Sequence, residues 1–278
     1  MKFAICQELY EHTPWPEQCR LIATAGYTGI EAAPFALAGG PASLDHATCA
    51  ALRSQAEQHG LQIIGLHWLL ARTEGLHLTS PDAAVRRQTA AHLKLLARIC
   101  QQLGGHIMVF GSPQQRNLLP GIHHEQAIDF AAEVFRSCVD EFAERGITLC
   151  FEPLTPKETN FINTCAEAAQ LIQRVNHPAF QLHQDVKAML GAESTAIPEL
   201  IHQYQHVTKH FHVNDTNLLG PGMGETDYRP ILEALIESGY DGWVSVEVFD
   251  YSPGAQHIAV ESINYMQRVL KESSSGCA

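Results

Sequence analysis

Eight short apolar segments recur along this chain, and each one is followed by a longer stretch whose apolar residues have helical spacing. This regular alternation is typical of α/β proteins that are built on a parallel sheet. The predicted strands span residues 3–6, 29–32, 62–67, 106–110, 148–152, 180–185, 207–213 and 243–247. The predicted helices span residues 15–25, 43–59, 81–103, 123–145, 164–175, 194–205, 228–238 and 256–271. Eight strands and eight helices predict a closed α/β barrel, the (β/α)8 TIM barrel.

The chain contains no segment that reads as a linker between domains. Its 278 residues would suffice for two ordinary domains, but barrels of this type commonly reach about 250 residues as one domain. The alternative fold is an open, doubly wound sheet, which usually carries a G-x-G-x-x-G motif after its first strand. No such motif follows the first strand, and the glycine-rich segment 220–224 follows the seventh. We therefore predict a single TIM-barrel domain over residues 1–278, with 272–278 as a frayed tail.

The charge balance and the cysteines bear on partners and location. The formal net charge is −12, with 18 lysine and arginine residues. Because nucleic-acid-binding proteins neutralise phosphates with basic residues, this balance argues against a nucleic-acid partner. No apolar run reaches the roughly 20 residues of a membrane span, so we expect no membrane partner. None of the eight cysteines lies in a C-x-x-C pair, and the N-terminus enters a strand directly, which together predict reduced thiols in a cytoplasmic protein.

Four predicted strands end in a side chain of a metal-binding type. In the fifth to eighth strands these residues are Glu152, Asp185, His212 and Glu247. Because side chains alternate along a strand, counting back by two from each of them defines the less apolar face of that strand. The C-terminal strand ends of a TIM barrel form its active site, so the four side chains are predicted to converge there. His183 and His210 lie one layer below, and we interpret them as core or supporting residues instead of ligands.

Three carboxylates and one imidazole suit a divalent cation. Mn²⁺ is the ion that we expect first, and Co²⁺ and Mg²⁺ are the alternatives. Structural zinc sites usually contain cysteine, and the sequence has no cysteine cluster of suitable spacing. A vicinal hydroxy-ketone could occupy the remaining coordination positions with its two oxygens. The cation would then acidify the C–H bond beside the carbonyl and stabilise an enediolate, while the catalytic residues Glu152 and Glu247 transfer protons on opposite faces.

These residues resemble the metal tetrad of the xylose-isomerase-like barrel superfamily, and the chain is most similar to the ketose 3-epimerases (the tagatose and psicose epimerase group) and the hydroxypyruvate isomerases. The matching segments are Phe151-Glu152-Pro153-Leu154 with Glu158, Gln184-Asp185, His210-Phe211-His212, Pro221-Gly222-Met223-Gly224-Glu225 and Val246-Glu247. The resemblance implies metal-dependent 3-epimerisation of a ketose, with the tetrad as metal ligands and with Glu152 and Glu247 also as acid/base groups. The substrate that it implies is a small sugar or polyol-ketone.

The candidates for substrate binding are less regular. Ala188 stands where these epimerases usually have a substrate-contacting histidine, and Leu218 stands where they usually have an arginine. Lys187 is therefore a candidate for some of the polar contacts. Glu158, six residues after Glu152, could hold a hydroxyl or a catalytic water. Three further candidates at the ends of the second and third strands are Glu31, His67 and Trp68.

Other functions stay open at this point. Within the same class, the chain could be a 1,2-aldose–ketose, hydroxypyruvate or inosose isomerase. The different-class alternative is an endonuclease IV-like DNA-repair enzyme of the same superfamily, although the net charge of −12 and the missing histidine at Ala188 argue against it. A barrel that only binds sugar is disfavoured by the two glutamates, since binding alone needs no acid/base pair. The sequence leaves the oligomeric state open, and a homo-oligomer is one expectation.

Overall fold

The computed structural model describes residues 1–275, and within them eight parallel strands close into a barrel in chain order. The strands are β1 (Lys2–Cys6), β2 (Gly29–Ala32), β3 (Gln62–Leu66), β4 (Ile107–Phe110), β5 (Thr148–Phe151), β6 (Phe180–Asp185), β7 (Thr208–Val213) and β8 (Trp243–Val246). The pairing of β1 with β8, in which Phe3 lies opposite Val244, closes the barrel. This closure confirms the predicted fold class and excludes the open doubly wound sheet.

Helices connect the strands and pack around the outside of the barrel. In the described part of the chain they are α1 (Trp15–Ala25), α2 (His46–Gln58), α3 (Ala83–Leu103), α4 (His124–Arg136), α5 (Val139–Glu144), α6 (Cys165–Val175), α7 (Val186–Ala192), α8 (Ile197–Tyr204), α9 (Arg229–Glu237) and α10 (Ala255–Ser275). The strands agree with the prediction to within one residue at each end. The helices agree less well.

Two helical regions differ from the prediction. The predicted helix 123–145 is divided into α4 and α5 near Ser137, whose hydroxyl donates to the backbone carbonyl of Val134 at 2.7 Å. Such local side-chain bonds compete with the hydrogen bonds of the helix itself. The second difference is α7, an additional helix that begins directly after β6. The carboxylate of Asp185 caps its first turn by accepting a hydrogen bond from the N–H of Ala188 at 2.6 Å.

The C-terminal helix is longer than expected. Because α10 extends to Ser275, residues 272–275 of the predicted frayed tail are helical. The rest of that predicted tail, residues 276–278, lies outside the described residues. No helix within residues 1–275 is long and apolar enough to cross a membrane. The seven cysteines in this part of the chain are buried and form no disulfide.

Aromatic side chains on the outward strand faces join the barrel to its helices. Phe110 of β4 stacks on Phe151 of β5, with ring centroids 5.6 Å apart. Phe135 of α4 contacts both rings and also lies 4.6 Å, centroid to centroid, from Phe180 of β6. All four rings are fully buried. This cluster holds three neighbouring strands against one helix, on the side of the barrel where two of the predicted ligands are carried.

Replacing Phe135 by alanine should lower the free energy of unfolding by about 3–5 kcal/mol, because it removes a buried ring and leaves a cavity among three others. Urea unfolding followed by circular dichroism measures the change. Ile236→Ala is the control, since Ile236 is 49% exposed. The control should alter the free energy by no more than about 0.5 kcal/mol. Equal effects of the two substitutions would show that the cluster does not stabilise the barrel.

Candidate active site

Backbone pairing places the four predicted ligands at one end of the barrel. Asp185 ends β6 and lies opposite His212 of β7 in the sheet register. Glu152 and Glu247 directly follow β5 and β8, and the backbone N–H of each still donates to the neighbouring strand at 3.2 Å. All four residues are at most 4% exposed. The strands therefore present these side chains at the C-terminal mouth of the barrel.

The four side chains approach one another closely. One donor atom each from Glu152, Asp185 and His212 lies within 4.8 Å of the others, together with a nitrogen of His183. Oε2 of Glu247 lies 3.1 Å from Nδ1 of His212. The structure therefore groups three of the four predicted ligands with His183 from the layer below, and it places the fourth, Glu247, against His212.

Two carboxylates of this group, Glu152 and Asp185, are incompletely compensated by positive charge. Within residues 1–275, no hydrogen-bond donor reaches the carboxylate of Glu152. Burial, followed by the negative charges of Glu247 and Asp185, raises the pKa of Glu152 well above its ordinary value. Burial also raises the pKa of Asp185, against the opposing charge of Lys187. A buried carboxylate without a partner takes up a proton or binds a cation. These side chains are therefore suitable ligands for a divalent metal ion.

Gly111 provides the space that the carboxylate of Glu152 occupies. This glycine directly follows β4, and a Cβ atom in its place would collide with Oε2 of Glu152. Because β4 and β5 are neighbours in the barrel, a larger residue here would push that carboxylate away from its position beside Asp185. No sequence pattern marks Gly111, since the close approach depends on the pairing of strands that are far apart in the chain.

A buried series of alternating carboxylates and imidazoles passes through the site. Oε2 of Glu8 lies 2.8 Å from Nε2 of His67, and Nδ1 of His67 lies 3.1 Å from Oε1 of Glu247. Burial disfavours charge on His67, but Glu8 and Glu247 outweigh it and raise its pKa well above the ordinary value. Burial likewise opposes ionisation of Glu247, but His212 and His67 lower its pKa. Two imidazoles thus keep Glu247 ionised and oriented. Glu8, which lies in a short 3₁₀ helix after β1, was not predicted as a site residue.

The series continues beneath the predicted ligands through Glu31. Oε2 of Glu31 lies 3.1 Å from Nε2 of His212 and 2.6 Å from Nε2 of His210. Burial favours the protonated form of Glu31, but the two imidazoles hold its pKa well below the ordinary range. Burial also opposes charge on His212, but Glu31 and Glu247 raise its pKa. A carboxylate that holds the far nitrogen of a ligand histidine fixes the orientation of the ring.

Two of the predicted substrate contacts lie away from the open cleft. Glu31 and His67 are fully buried, and each bonds to other side chains of the series. The sequence assigned both to the substrate pocket because they end the second and third strands. In the structure Glu31 supports His212, and His67 orients Glu247. Glu31 and His67 would therefore affect a substrate through His212 and Glu247.

The other predicted contacts lie at the rim of the mouth. Nζ of Lys187 lies 2.8 Å from Oε1 of Glu158 and 3.9 Å from the ring centroid of Phe249. Burial opposes charge on Lys187, but Asp185 and Glu158 raise its pKa, so the amine stays protonated. Trp68 stacks on Phe249 with centroids 6.2 Å apart, and both rings line a cavity of about 280 Å³. The rim therefore offers a charged pair beside an aromatic wall.

Two further supporting residues were not predicted. The side chain of Asn214 donates to Oδ2 of Asp185 at 2.6 Å and accepts from the backbone N–H of Lys187 at 2.8 Å. The fully buried Arg116 donates to the backbone carbonyl of Glu152 at 2.6 Å, and burial lowers its pKa to about 10. Asn214 lies two residues after the predicted ligand His212, and this spacing could be read from the sequence. Arg116 ends a short 3₁₀ helix (Gln114–Arg116) after β4, and only the fold brings it to the site.

The two positions that depart from the epimerase pattern add no polar side chain. Ala188 is buried in the first turn of α7, where its N–H donates to Asp185. Leu218 is 42% exposed, and its backbone carbonyl accepts a hydrogen bond from the N–H of Phe249. Polar recognition at the mouth must therefore come from other side chains.

The chain is similar to known proteins in sequence and, separately, in fold. The family model described as xylose isomerase-like TIM barrel matches residues 19–269. The chain is 24% identical over 201 residues to a probable ketose 3-epimerase of Synechocystis sp., a match that covers 72% of this chain and 69% of that protein. It is 26% identical over 261 residues to a putative hydroxypyruvate isomerase of Streptomyces coelicolor, with 88% of both chains covered. The structure of a D-psicose 3-epimerase in the presence of D-fructose has the same fold, with a TM-score of 0.85 at 21% identity, covering 97% of this chain and 99% of the other.

Changing Glu31 to glutamine should weaken divalent-cation binding about 10- to 100-fold, because an amide replaces the carboxylate that holds His212. Calorimetric titration of the chelator-treated protein with Mn²⁺ gives the dissociation constant. Glu17→Gln is the matched control, since Glu17 pairs with Arg20 on the exposed face of α1. The control should leave the constant unaltered. An unchanged constant in Glu31→Gln as well would contradict the supporting role of Glu31.

Proposed function

Because the chain belongs to the xylose isomerase-like TIM barrel family, we propose that it is a divalent-metal-dependent sugar epimerase. The reaction that fits best is 3-epimerisation of a ketose, in which a proton leaves and returns at the carbon beside the carbonyl. Relatives named probable ketose 3-epimerase and D-psicose 3-epimerase support this class. The observation that carries the proposal is the pair of buried glutamates within a group of metal-binding side chains.

The two glutamates have contrasting environments. His67 and His212 hold the carboxylate of Glu247 and keep it ionised. Glu152 receives no donor from the described residues, and its pKa is raised. Environments that push the pKa values of two carboxylates apart are suited to acid and base roles. A protein that only binds sugar would not need this arrangement.

The group that would hold the cation consists of Glu152, Asp185, His212 and Glu247. Three carboxylates and one imidazole favour Mn²⁺, with Co²⁺ and Mg²⁺ as alternatives. When bound, the ion would supply Lewis-acid polarisation of the substrate carbonyl. The chain orients two of the ligands by separate contacts, since Asn214 donates to Asp185 and Glu31 holds His212.

Proton transfer is assigned to the two glutamates. For one epimer of the substrate, Glu247 takes the proton from C3 as a general base, and His67 keeps its carboxylate oriented. The substrate then carries the charge as an enediolate across C2 and C3. Glu152, which is protonated at the start of this direction, gives its proton to the opposite face of C3 and becomes ionised, while Glu247 keeps the proton that it removed. This transfer inverts the centre. For the other epimer the roles of the two glutamates are exchanged.

The rim residues are assigned to positioning and to exclusion of water. The protonated amine of Lys187 and the carboxylate of Glu158 would hold substrate hydroxyls by charge-assisted hydrogen bonds. Trp68 and Phe249 form an apolar wall of the mouth. A wall of this kind keeps water from protonating the enediolate before Glu152 or Glu247 does. Lys187 thereby supplies a polar contact next to Ala188, whose own side chain is apolar.

The second candidate reaction is aldose–ketose isomerisation, which the relative named putative hydroxypyruvate isomerase favours. Ketoses, aldoses, hydroxypyruvate and inososes can be offered with Mn²⁺ or Co²⁺ in deuterated water, and exchange can be followed by NMR. Deuterium at C3 of a ketose would support the epimerase, whereas deuterium at C1 would support the isomerase. Absence of exchange in every substrate would overturn the proposed function.

Treatment with a chelator should abolish turnover, and Mn²⁺ or Co²⁺ should restore it. The added ion should also raise the melting temperature, because a ligand that binds only the folded state stabilises that state. Asparagine has nearly the same size as aspartate, so the Asp185→Asn variant should fold. It should lose most of the rise in melting temperature that the metal causes. Glu17→Gln, on the exposed face of α1, should retain the rise. Full turnover in a metal-free preparation would end the hypothesis of metal dependence.

Glu152→Gln and Glu247→Gln should each reduce turnover by at least about 100-fold, the usual effect of losing a general acid or base. Each variant should still exchange solvent deuterium into one epimer of the substrate, because the remaining glutamate can remove that epimer's proton. The two variants should prefer opposite epimers. Deuterium incorporation from both epimers, measured by mass spectrometry, tests this.

The metal content of each variant is the control for that experiment, because glutamine retains one oxygen that can bind the metal. Deuterium exchange can be compared only when both variants have the same metal occupancy. If both variants lose exchange from both epimers at full metal occupancy, the assignment of two bases fails. A single-base or hydride-shift isomerase would then be preferred.

A further inference from the structure

We propose that the imidazole of His183 is an additional ligand of the cation held by Glu152, Asp185 and His212, so that two imidazoles bind the ion. The inference rests on the metal centre of the proposed function. It goes beyond the four-residue tetrad, and it revises the interpretation of His183 as a core or supporting residue that the sequence favoured.

The first observation is that His183 is buried without partners. Its side chain is fully inaccessible to solvent. Within the described part of the chain, neither Nδ1 nor Nε2 has a hydrogen-bond partner. A neutral imidazole has one donor and one acceptor, and leaving a buried polar group unpaired costs about 1–3 kcal/mol. A metal ion bound to one nitrogen would remove part of that cost.

The second observation is the distance from His183 to the predicted ligands. One of its nitrogens lies within 4.8 Å of a donor oxygen of Glu152, a donor oxygen of Asp185 and a nitrogen of His212. Two ligands that bind one ion at about 2.0–2.2 Å can be no more than about 4.4 Å apart. The four donor atoms are therefore close enough for side-chain torsions to bring them around one ion.

Strand geometry explains why the imidazole can reach this position. His183 lies two residues before Asp185 on β6, so both side chains point into the barrel. The ring of His183 meets the ring of His212 edge to face, with centroids 4.1 Å apart. His183 is therefore directly below the predicted site and against one of its ligands.

A site deeper in the barrel is the competing arrangement. Nitrogens of His183, His210 and His212 also lie within 4.8 Å of one another. Nε2 of His210, however, is already 2.6 Å from Glu31. The carboxylate beside those imidazoles, Glu31, is already occupied by His210 and His212. The carboxylate of Glu152, in contrast, has no hydrogen-bond partner among residues 1–275. We therefore assign His183 to the upper group.

The additional nitrogen has a consequence for metal selectivity. Carboxylate oxygens suit Mg²⁺ and Mn²⁺, whereas imidazole favours ions later in the first transition series. A set with two imidazoles should therefore bind Co²⁺ more tightly relative to Mg²⁺ than a set with one. Removing the His183 imidazole should reduce this preference without abolishing binding, because the tetrad remains.

The test uses the full chain after chelation and reloading with Mn²⁺. Pulsed electron paramagnetic resonance detects the nitrogen atoms that are bound to the ion. We expect two imidazole nitrogens in the unchanged protein and one in His183→Leu. Competition with a chromophoric chelator gives the affinities for Co²⁺ and Mg²⁺, and their ratio should fall at least about tenfold in His183→Leu.

Two further variants guard against trivial effects. His183→Gln keeps a polar side chain, so it serves if the leucine variant does not fold, and it should also show one nitrogen. His106→Leu is the control, because His106 precedes β4 at the opposite end of the barrel and is only partly buried. The control should retain two nitrogens and the unchanged ratio of affinities.

The outcomes separate this inference from the proposed function. One nitrogen in the unchanged protein, two nitrogens in His183→Leu, or a second ion bound among the three imidazoles would each overturn the role of His183 and leave the tetrad intact. Failure of the unchanged protein to bind any divalent ion would overturn both. Two nitrogens that fall to one in His183→Leu would establish the ligand even if no sugar were turned over.

Discussion

The candidate site depends on the electrostatic cost of burying several carboxylates at one end of a barrel. Glu152, Asp185 and Glu247 are nearly inaccessible to solvent, and each charge removed from water must be paired to be tolerated. Imidazoles hold Glu247, whereas no donor from residues 1–275 reaches the carboxylate of Glu152. A divalent cation would supply the missing charge. The carboxylates that would bind this cation could also exchange protons with a substrate. The stability of the site and its chemistry would therefore both require the cation.

The barrel satisfies this requirement through register and supporting contacts. Asp185 and His212 lie opposite each other on adjacent strands, and a shift of one residue would turn either side chain out of the barrel. Glu31 then fixes the ring of His212 from below, and Asn214 fixes Asp185 from the side. These contacts link side chains that are far apart in the sequence into one rigid group. A pre-organised group of this kind can stabilise charge without rearrangement.

Much of this arrangement follows from the sequence, because strand alternation and strand ends are local patterns. Those patterns predict the eight strands and place Glu152 and Asp185 at the mouth. They do not show where a long side chain turns inside the barrel, and for this reason Glu31 and His67 were assigned to the substrate pocket. The sequence did not predict helix α7, because the residue that caps it is Asp185. At the end of a predicted strand, the carboxylate of Asp185 indicates a metal ligand and not a helix cap. The unpaired nitrogens of His183 depend on packing among several strands, which no local pattern reports.

A crystal structure of the protein loaded with Co²⁺, with diffraction data collected at the cobalt absorption edge, tests the central claim most directly. The account predicts an anomalous peak between Glu152, Asp185 and His212, about 2.0–2.3 Å from at least one donor atom of each. Glu247 should lie within the same coordination sphere. A peak elsewhere in the barrel, or no peak while Glu152 and Asp185 share a proton by a direct hydrogen bond, would contradict the claim that these carboxylates are buried to hold a metal ion.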